Sequence, residues 1–412
     1  KQAEDGTGIY HEFQYTNGKR VAGVEFELYA KDTIYAPDGS GDVLYEKDQL
    51  VTTLTTDKTG YAEAKDLPLG TYYLKEVKAG TNYVLNTEQK EITIAQNPNA
   101  AENPATIETV DYTNDRQKVK VSLEKEDAVT KESLEGVIFG LYTAEDISSD
   151  DGGVYVEKNT LLEKKATDKD GKLTFDSELP NGKYYVKEEV GLAGYVPGTE
   201  VWDIDASYTD QTIPAIEVSH TFENQPTVTE ITKTDATTGE ELEGAKLQVI
   251  DEKGNVVEEW TSTKEKHVIY GLAAGTYTLH EEMPPYAQGY VSAQDATFEV
   301  KEDGTVTKVE MKDEYSNVEV FKTDSTTGKE LKGAKLQILN KDGKVLEEWV
   351  SDGSAHVIKK LPVKEELTLH EVSAPKGYKV ADDIVFTLED TTEVQKIEMK
   401  DAQTEIKTVL QK

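Results

Sequence analysis

One motif recurs four times along this chain, and a fold with a single core does not accommodate that. The last two copies align directly. One runs Ile231-Thr-Lys-Thr-Asp-Ala-Thr-Thr-Gly and then Leu242-Glu-Gly-Ala-Lys-Leu-Gln-Val; the other runs Val320-Phe-Lys-Thr-Asp-Ser-Thr-Thr-Gly and then Leu331-Lys-Gly-Ala-Lys-Leu-Gln-Ile. Both pass through Glu-Glu-Trp (Trp260, Trp349), His-Val-Ile and Leu-His-Glu (Glu281, Glu371), and both close on Glu-Met-Lys-Asp (Asp313, Asp401). Two earlier copies follow the same plan with insertions. The second has Leu123-Glu-Lys-Glu-Asp, Leu134-Glu-Gly-Val-Ile-Phe, Tyr184-Tyr-Val-Lys-Glu and Phe222-Glu-Asn; the first has Val21-Ala-Gly-Val-Glu-Phe, Tyr72-Tyr-Leu-Lys-Glu and Tyr112-Thr-Asn.

The repeats divide the 412 residues into domains at 1–115, 116–226, 227–316 and 317–404, with 405–412 as the start of a following strand or a tail. Units of this size are ordinary domains. One unit's last strand runs almost directly into the next, and such short linkers favour an elongated, stiff array. Within each unit, short alternating runs rich in Val, Ile, Thr and Tyr are broken by turns such as Asp170-Gly171, Asn181-Gly182 and Asp342-Gly343. No long 3.6-residue periodicity is present. The fold class is therefore all-β: four tandem Ig-like β-sandwiches, with hairpins or loops inserted at about 31–50 and 143–163.

Strand alternation exposes an anomaly. Residues two apart share a face, and each apolar face ends in an ionisable or amide residue. Val119, Val121 and Leu123 lead to Lys125, Ile231 leads to Lys233, and Val318 and Val320 lead to Lys322. The middle strands bring Glu76, Glu188, Glu281 and Glu371 in behind Leu74, Val186, Leu279 and Leu369. The closing strands do the same with Asn114, Asn224, Asp313 and Asp401. Buried charge is costly unless paired or neutralised, and three such residues per unit are not a register accident. A desolvated lysine loses its proton more readily and becomes a nucleophile. A glutamate among apolar groups holds a proton and shuttles it. An amine held against the carbonyl of Asn or Asp forms an amide, with loss of ammonia or water, and fixed proximity supplies much of the rate.

On these residues the chain resembles the tandem Cna-B, or SpaA-type prealbumin-like, domains of Gram-positive surface adhesins and pilins. The resemblance rests on Lys322-Thr-Asp with Thr327-Gly328, on Leu331-Lys-Gly-Ala, and on Leu369-His-Glu-Val-Ser-Ala-Pro-Lys-Gly-Tyr378. It implies autocatalytic isopeptide crosslinks Lys125–Asn224, Lys233–Asp313 and Lys322–Asp401, with Glu188, Glu281 and Glu371 as proton shuttles. Unit one departs from the pattern. The lysine precedes the repeat glycine by eleven positions in the other units, and counting back from Gly23 reaches Glu12. Lys1 fits only across an insertion, which gives Lys1–Asn114 with Glu76 as the assignment there. The tail that follows Glu281 is two residues longer than its counterpart after Glu371.

The remaining features exclude function classes. A net charge of −35 repels nucleic acid and anionic membranes, and no apolar run is long enough to insert into a bilayer. The absence of cysteine rules out disulfides and thiolate metal sites. His267, His280, His356 and His370 each lack a second ligand at useful spacing. Asp168-Lys-Asp170-Gly171 and Ser148-Ser-Asp-Asp-Gly-Gly are turn chemistry. Trp260 and Trp349 are expected to pack in the sandwich, and His220, on the face of Asn224, in the core. The expected protein needs no cofactor or metal and is no enzyme beyond its single-turnover crosslinking. It is a monomeric, rod-like piece of a longer chain, placed on the cell wall of a Gram-positive bacterium with signal peptide and anchor outside the segment. The expected role is a structural stalk. The alternatives are a ligand-binding adhesin whose insertions in units one and two meet a host protein or glycan, a sortase-polymerised pilin, and a set of accessory modules of an enzyme.

Overall fold

The computed structural model describes residues 2–15, 18–96, 108–148 and 154–404, almost all of it strand and turn. The expected Lys1 site and the tail at 405–412 lie outside the described residues. The chain forms two compact units: residues 1–192 with 197–225, and residues 193–196 with 226–412.

In the second unit, repeats 3 and 4 are built alike. Repeat 3 has a three-stranded sheet with Val228–Asp235 in the centre, antiparallel to His267–Tyr270 and parallel to Val306–Asp313. Facing it is a four-stranded sheet in the order Val256–Thr261, Lys246–Asp251, Gly275–Met283, Ala296–Val300. Repeat 4 repeats this with Asn317–Asp324 between His356–Lys359 and Val394–Asp401, over a second sheet of four strands. The cores are the inward residues of both sheets: Ile231, Leu247, Val249, Leu279 and Met311 in one, Val320, Leu336, Ile338, Leu369 and Met399 in the other. The glycine of the Leu-x-Gly motif has a positive φ in every repeat, at Gly23, Gly136, Gly244 and Gly333. A side chain is strained in that conformation, so the turn into the second sheet specifies glycine.

In the first unit, repeat 2 has Lys118–Asp127 at the centre of its small sheet, antiparallel to Lys172–Thr174 and parallel to Ala215–Asn224. Its larger sheet has an unexpected fifth strand. Gly8–Ile9, from the start of the chain, pairs with Leu161–Ala166 at the sheet edge. The N–H groups of Tyr10 and His11 donate to the Leu162 carbonyl, and Phe13 is buried beside Tyr155. Repeat 1 keeps its four-stranded sheet, in the order Leu50–Thr55, Glu25–Ala30, Gly70–Lys78, Gln89–Ile94. Among the described residues it has no three-stranded sheet facing this one. The insertions carry short hairpins, Ile34–Tyr35 with Val43–Tyr45 and Ile147–Ser148 with Val154–Val156.

Candidate functional site

Parallel pairing of the first and last strands sets up the site. Lys125 is level with Phe222, Lys233 with Met311 and Lys322 with Met399. Two residues further along the last strand, on the same face, stand Asn224, Asp313 and Asp401. Each lysine therefore points down the core toward an acceptor at the sheet's end. The facing strand delivers the glutamate from the opposite layer.

In repeat 2, Lys125 is 1% exposed and Asn224 2%. Lys125 Nζ donates to Asn224 Oδ1 at 2.6 Å and lies 3.6 Å from Glu188 Oε2. The amide's other end, Nδ2, donates to both Glu188 oxygens, at 2.9 and 3.1 Å. Burial is the main force on Lys125 and holds its pKa below the ordinary lysine value, against the pull of Glu188.

Repeats 3 and 4 carry the same arrangement with a carboxyl acceptor. Lys233 Nζ meets Asp313 Oδ1 and lies 2.8 Å from Glu281 Oε1. Lys322 Nζ meets Asp401 Oδ1 and lies 2.9 Å from Glu371 Oε1. Burial pushes the Asp313 carboxyl up to about 7; Lys233 opposes the shift and Glu281 adds to it. Asp401 is pushed up too, foremost by burial. Two carboxyls sharing one ammonium in a dry core favour retention of a proton on one of them. A cavity of about 100 Å³ lined by Trp260, Ser262, Lys266 and His267 reaches Lys233.

Repeat 1 holds two of the three groups. Asn114 Nδ2 donates to Glu76 Oε1 at 2.6 Å and to the Val84 carbonyl at 2.9 Å. Glu76 is 1% exposed, burial raises its pKa, and its Oε2 has no hydrogen-bond partner among the described residues. Its assigned lysine, Lys1, lies outside the described residues.

The pattern of alternating faces does not reveal one functional group. In every repeat a backbone N–H holds the glutamate: Asn86 to Glu76 at 3.2 Å, Gly198 to Glu188 at 3.0 Å, Ala293 to Glu281 at 2.8 Å and Ala381 to Glu371 at 2.7 Å. Side-chain patterns are blind to a backbone donor. Its signal is positional: each donor falls three residues after the repeat tyrosine (Tyr83, Tyr195, Tyr290, Tyr378). The longer tail after Glu281 leaves this relation intact.

The histidines stay outside the sites. His267 and His356 stack on Trp260 and Trp349, with ring centroids 4.2 and 4.5 Å apart, and both tryptophans pack on their cores. His280 and His370 reach Asp295 and Asp383 on the surface. His220, expected in the core, is instead half-exposed, stacked on Trp202 and paired with Glu200 at 2.6 Å. The sheet's edge there is open enough for an imidazole to keep its polar rim in water.

Comparison with known proteins gives one family. The model of the SpaA prealbumin-like fold domain matches residues 11–108, 119–220, 227–315 and 316–403. The trypsin-resistant surface T6 protein of Streptococcus pyogenes serotype M6 is 28% identical over 151 residues, which are 35% of this chain and 27% of that protein. The chain thus spans about a quarter of that relative's length. Among solved structures, the Bacillus anthracis TIE protein is 21% identical, with 98% of this chain and 76% of that one covered and a TM-score of 0.39. The full-length major pilin SpaD of Corynebacterium diphtheriae is 13% identical, with 70% and 98% covered and a TM-score of 0.35. At such scores the superpositions decide nothing, and the family match carries the assignment.

Proposed function

Because this chain belongs to the SpaA prealbumin-like fold domain family, with four such domains in tandem, we propose that it is a stalk segment of a Gram-positive surface protein whose repeats 2–4 crosslink themselves. The observation that carries the reading is the contact of a buried lysine with Asn or Asp across 99, 80 and 79 residues of chain.

In repeat 2 the Lys125 ammonium passes a proton to Glu188, and the neutral amine attacks the Asn224 side-chain carbonyl carbon. Nδ2 already faces Glu188, so the leaving nitrogen takes that proton there and departs as ammonia, while the attacking nitrogen gives its second proton to the same carboxylate. A C–N bond forms between Lys125 and Asn224, and the carbonyl's bond to Nδ2 breaks. In repeats 3 and 4 the amine attacks a protonated Asp313 or Asp401, and the hydroxyl leaves as water with a proton from Glu281 or Glu371. The backbone N–H groups of Gly198, Ala293 and Ala381 hold each glutamate in place. In repeat 3 the cavity beside Lys233 gives the water an exit. The product amide is neutral, which removes the cost of the buried ions. Each site acts once, so the protein is no enzyme.

The crosslink ties the first strand to the last, where tension enters and leaves the repeat, so load bypasses the interior. Single-molecule pulling on the whole chain tests this. Repeats 2–4 are expected to show no extension under force, and a Lys322→Ala chain is expected to gain one extension event of about 79 residues' length. Ordinary unfolding of all repeats in the parent chain would overturn the proposal.

A second reading has one observation behind it. Tyr35, Val43, Leu44 and Leu50 are each exposed on the inserted hairpin of repeat 1 and its edge strand, and exposed apolar residues concentrated in one insertion suit a binding surface. Loss of adhesion to host proteins or glycans on removing residues 31–50, with the fold intact, would support an adhesive role.

A further inference from the structure

Two residues past the reactive lysine, on the same face, stand Asp235 in repeat 3 and Asp324 in repeat 4, level with the acceptors Asp313 and Asp401 on the neighbouring strand. Both are buried, and the crosslinking chemistry does not use them. One oxygen of each holds the turn that follows. Asp235 Oδ1 accepts from the N–H groups of Thr237 and Thr238 at 2.7 and 3.0 Å, and Asp324 Oδ1 from those of Thr326 and Thr327 at 2.8 and 2.9 Å. The other oxygen takes a tyrosine hydroxyl. Tyr290 Oη donates to Asp235 Oδ2 at 2.6 Å, and Tyr378 Oη to Asp324 Oδ2 at 2.7 Å.

Each tyrosine begins the segment that holds the glutamate. In repeat 3, Tyr290 bridges Tyr315, the Val291 N–H donates to the Glu314 carbonyl just past the acceptor, and the Ala293 N–H holds Glu281. In repeat 4, Tyr378 bridges Gln403, the Lys379 N–H donates to the Ala402 carbonyl, and the Ala381 N–H holds Glu371. Residues 290–293 and 378–381 thus join all three parts of the reaction. The hydroxyl meets the lysine strand, the backbone meets the continuation of the acceptor strand, and the last N–H meets the glutamate. A misplacement of about 1 Å costs a positioned reaction on the order of 100-fold.

The two latches differ in their third member. In repeat 4, Gln403 Nε2 of the same repeat donates to Asp324 Oδ2 at 3.0 Å. In repeat 3 that place is taken by Lys360, from repeat 4, whose Nζ donates to Asp235 Oδ2 and to Tyr290 Oη, both at 2.9 Å. The Lys360 backbone is fixed where it stands. Its φ is 62°, its N–H donates to the Ser316 carbonyl at 3.1 Å, and Gly289 lies so close that a Cβ there would stand 2.4 Å from the Lys360 carbonyl carbon.

We propose that Tyr290 and Tyr378 are positioning residues for crosslinking, and that in repeat 3 the latch is completed by Lys360, so that repeat 3 reacts at full rate only with repeat 4 docked against it. The inference rests on the crosslinking reading above and adds to it a control of one repeat's chemistry by the next.

The test follows the whole chain, recovered unreacted and refolded at one pH, by peptide mapping of the three crosslinks. Amide exchange over Lys246–Asp251 and Lys332–Asn340 reports that repeats 3 and 4 are folded, and rates are taken from folded chain. Tyr378→Phe is expected to slow Lys322–Asp401 bonding by at least about tenfold and to leave Lys125–Asn224 and Lys233–Asp313 at the parent rate. Lys360→Met is expected to slow Lys233–Asp313 bonding by about three- to fivefold, the weight of a partly solvated ion pair, and to leave Lys322–Asp401 alone; Lys360→Arg restores the rate. A contact that only stabilised the fold would leave both rates in folded chain untouched. Parent rates in the folded Tyr378→Phe and Lys360→Met chains would therefore overturn this inference while the crosslinking reading stands. Should Tyr378→Phe prevent repeat 4 from folding, the Lys360 variants decide: a parent rate in Lys360→Met, or no recovery in Lys360→Arg, would overturn the coupling. Absence of bonds in the parent chain would overturn the crosslinking reading, and this inference with it.

Discussion

Lys125 and Asn224 lie 99 residues apart in sequence, yet Nζ and Oδ1 meet at 2.6 Å inside the core of repeat 2, on strands that run side by side in parallel. The same geometry recurs at Lys233 with Asp313 and at Lys322 with Asp401. A covalent link there closes nearly the whole repeat into a loop. By the chain-entropy estimate used for disulfides, a loop of about 80–100 residues stabilises by ~4–5 kcal/mol.

Replacing Lys322 is therefore expected to be costly twice over. Lys322→Met fills similar space but removes the crosslink and leaves Glu371 and Asp401 buried without their cation. Breaking a buried pair from one side costs on the order of 3–5 kcal/mol, in addition to the lost loop closure. Denaturant unfolding followed by a probe on repeat 4, near Trp349, should show the midpoint falling for that repeat while repeat 3 keeps its own.

Glu188→Gln separates chemistry from folding. The amide keeps the shape and still accepts the Gly198 N–H, but it neither takes the Lys125 proton nor returns one to the leaving nitrogen. The variant is expected to fold and to remain heavier than the crosslinked parent by about 16 mass units, the roughly 17 of the retained ammonia less the one lost in exchanging carboxyl for amide. A variant that still lost ammonia at the parent's rate would remove the shuttle from the account.

The two acceptor types predict opposite pH trends. Burial lowers the Lys125 pKa, so crosslinking of repeat 2 should quicken with rising pH as the amine deprotonates. Asp313 must be protonated to lose water, and its carboxyl titrates at about 7, so crosslinking of repeat 3 should slow above that pH. The unreacted states follow the same signs. Folded repeat 3 binds more protons than its unfolded chain between the ordinary Asp value of 3.8 and about 7, so its stability is greatest below the former and falls as pH rises through the latter. Chain recovered unreacted from inclusion bodies and refolded between about pH 5 and 9 gives both rates by peptide mapping.

A fourth expectation concerns the joint between repeats 3 and 4. Asp235 Oδ2 accepts from Tyr290 Oη at 2.6 Å and from Lys360 Nζ of the next repeat at 2.9 Å. Burial pushes its pKa up, but Tyr290, Lys360 and the N–H groups of Thr237 and Thr238 outweigh that, and the carboxyl sits far below its ordinary value. Its contribution is thus present above the unfolded value and is lost only as pH falls through the lower folded one. Lys360 is partly solvated, so Asp235→Asn should cost no more than about 1 kcal/mol from the ion pair. Spin labels on repeats 3 and 4 should report a broader separation in the variant.

Much of the candidate site was legible because strand alternation is rigid. Once Leu123 and Phe222 are inward, Lys125 and Asn224 have no other face to occupy. The same rule placed Glu76 and Asn114 but said nothing about their neighbours, because pairing depends on strands distant in sequence. Hence the segments of repeat 1 that pair with no strand among the described residues, and the addition of Gly8–Ile9 to repeat 2, came only from the fold. The N–H donors at Asn86, Gly198, Ala293 and Ala381 were hidden for a different reason: their side chains vary while the backbone does the work. His220 shows the limit of alternation, which assigns a face but not how near that face lies to an open edge.

The mass of the intact, denatured chain tests the central claim most directly. Crosslinks in repeats 2, 3 and 4 predict a mass below the sequence value by the weight of one ammonia and two waters, about 17 and twice about 18 mass units, with the joined peptides mapping to Lys125–Asn224, Lys233–Asp313 and Lys322–Asp401. A mass equal to that of the unmodified sequence would contradict it.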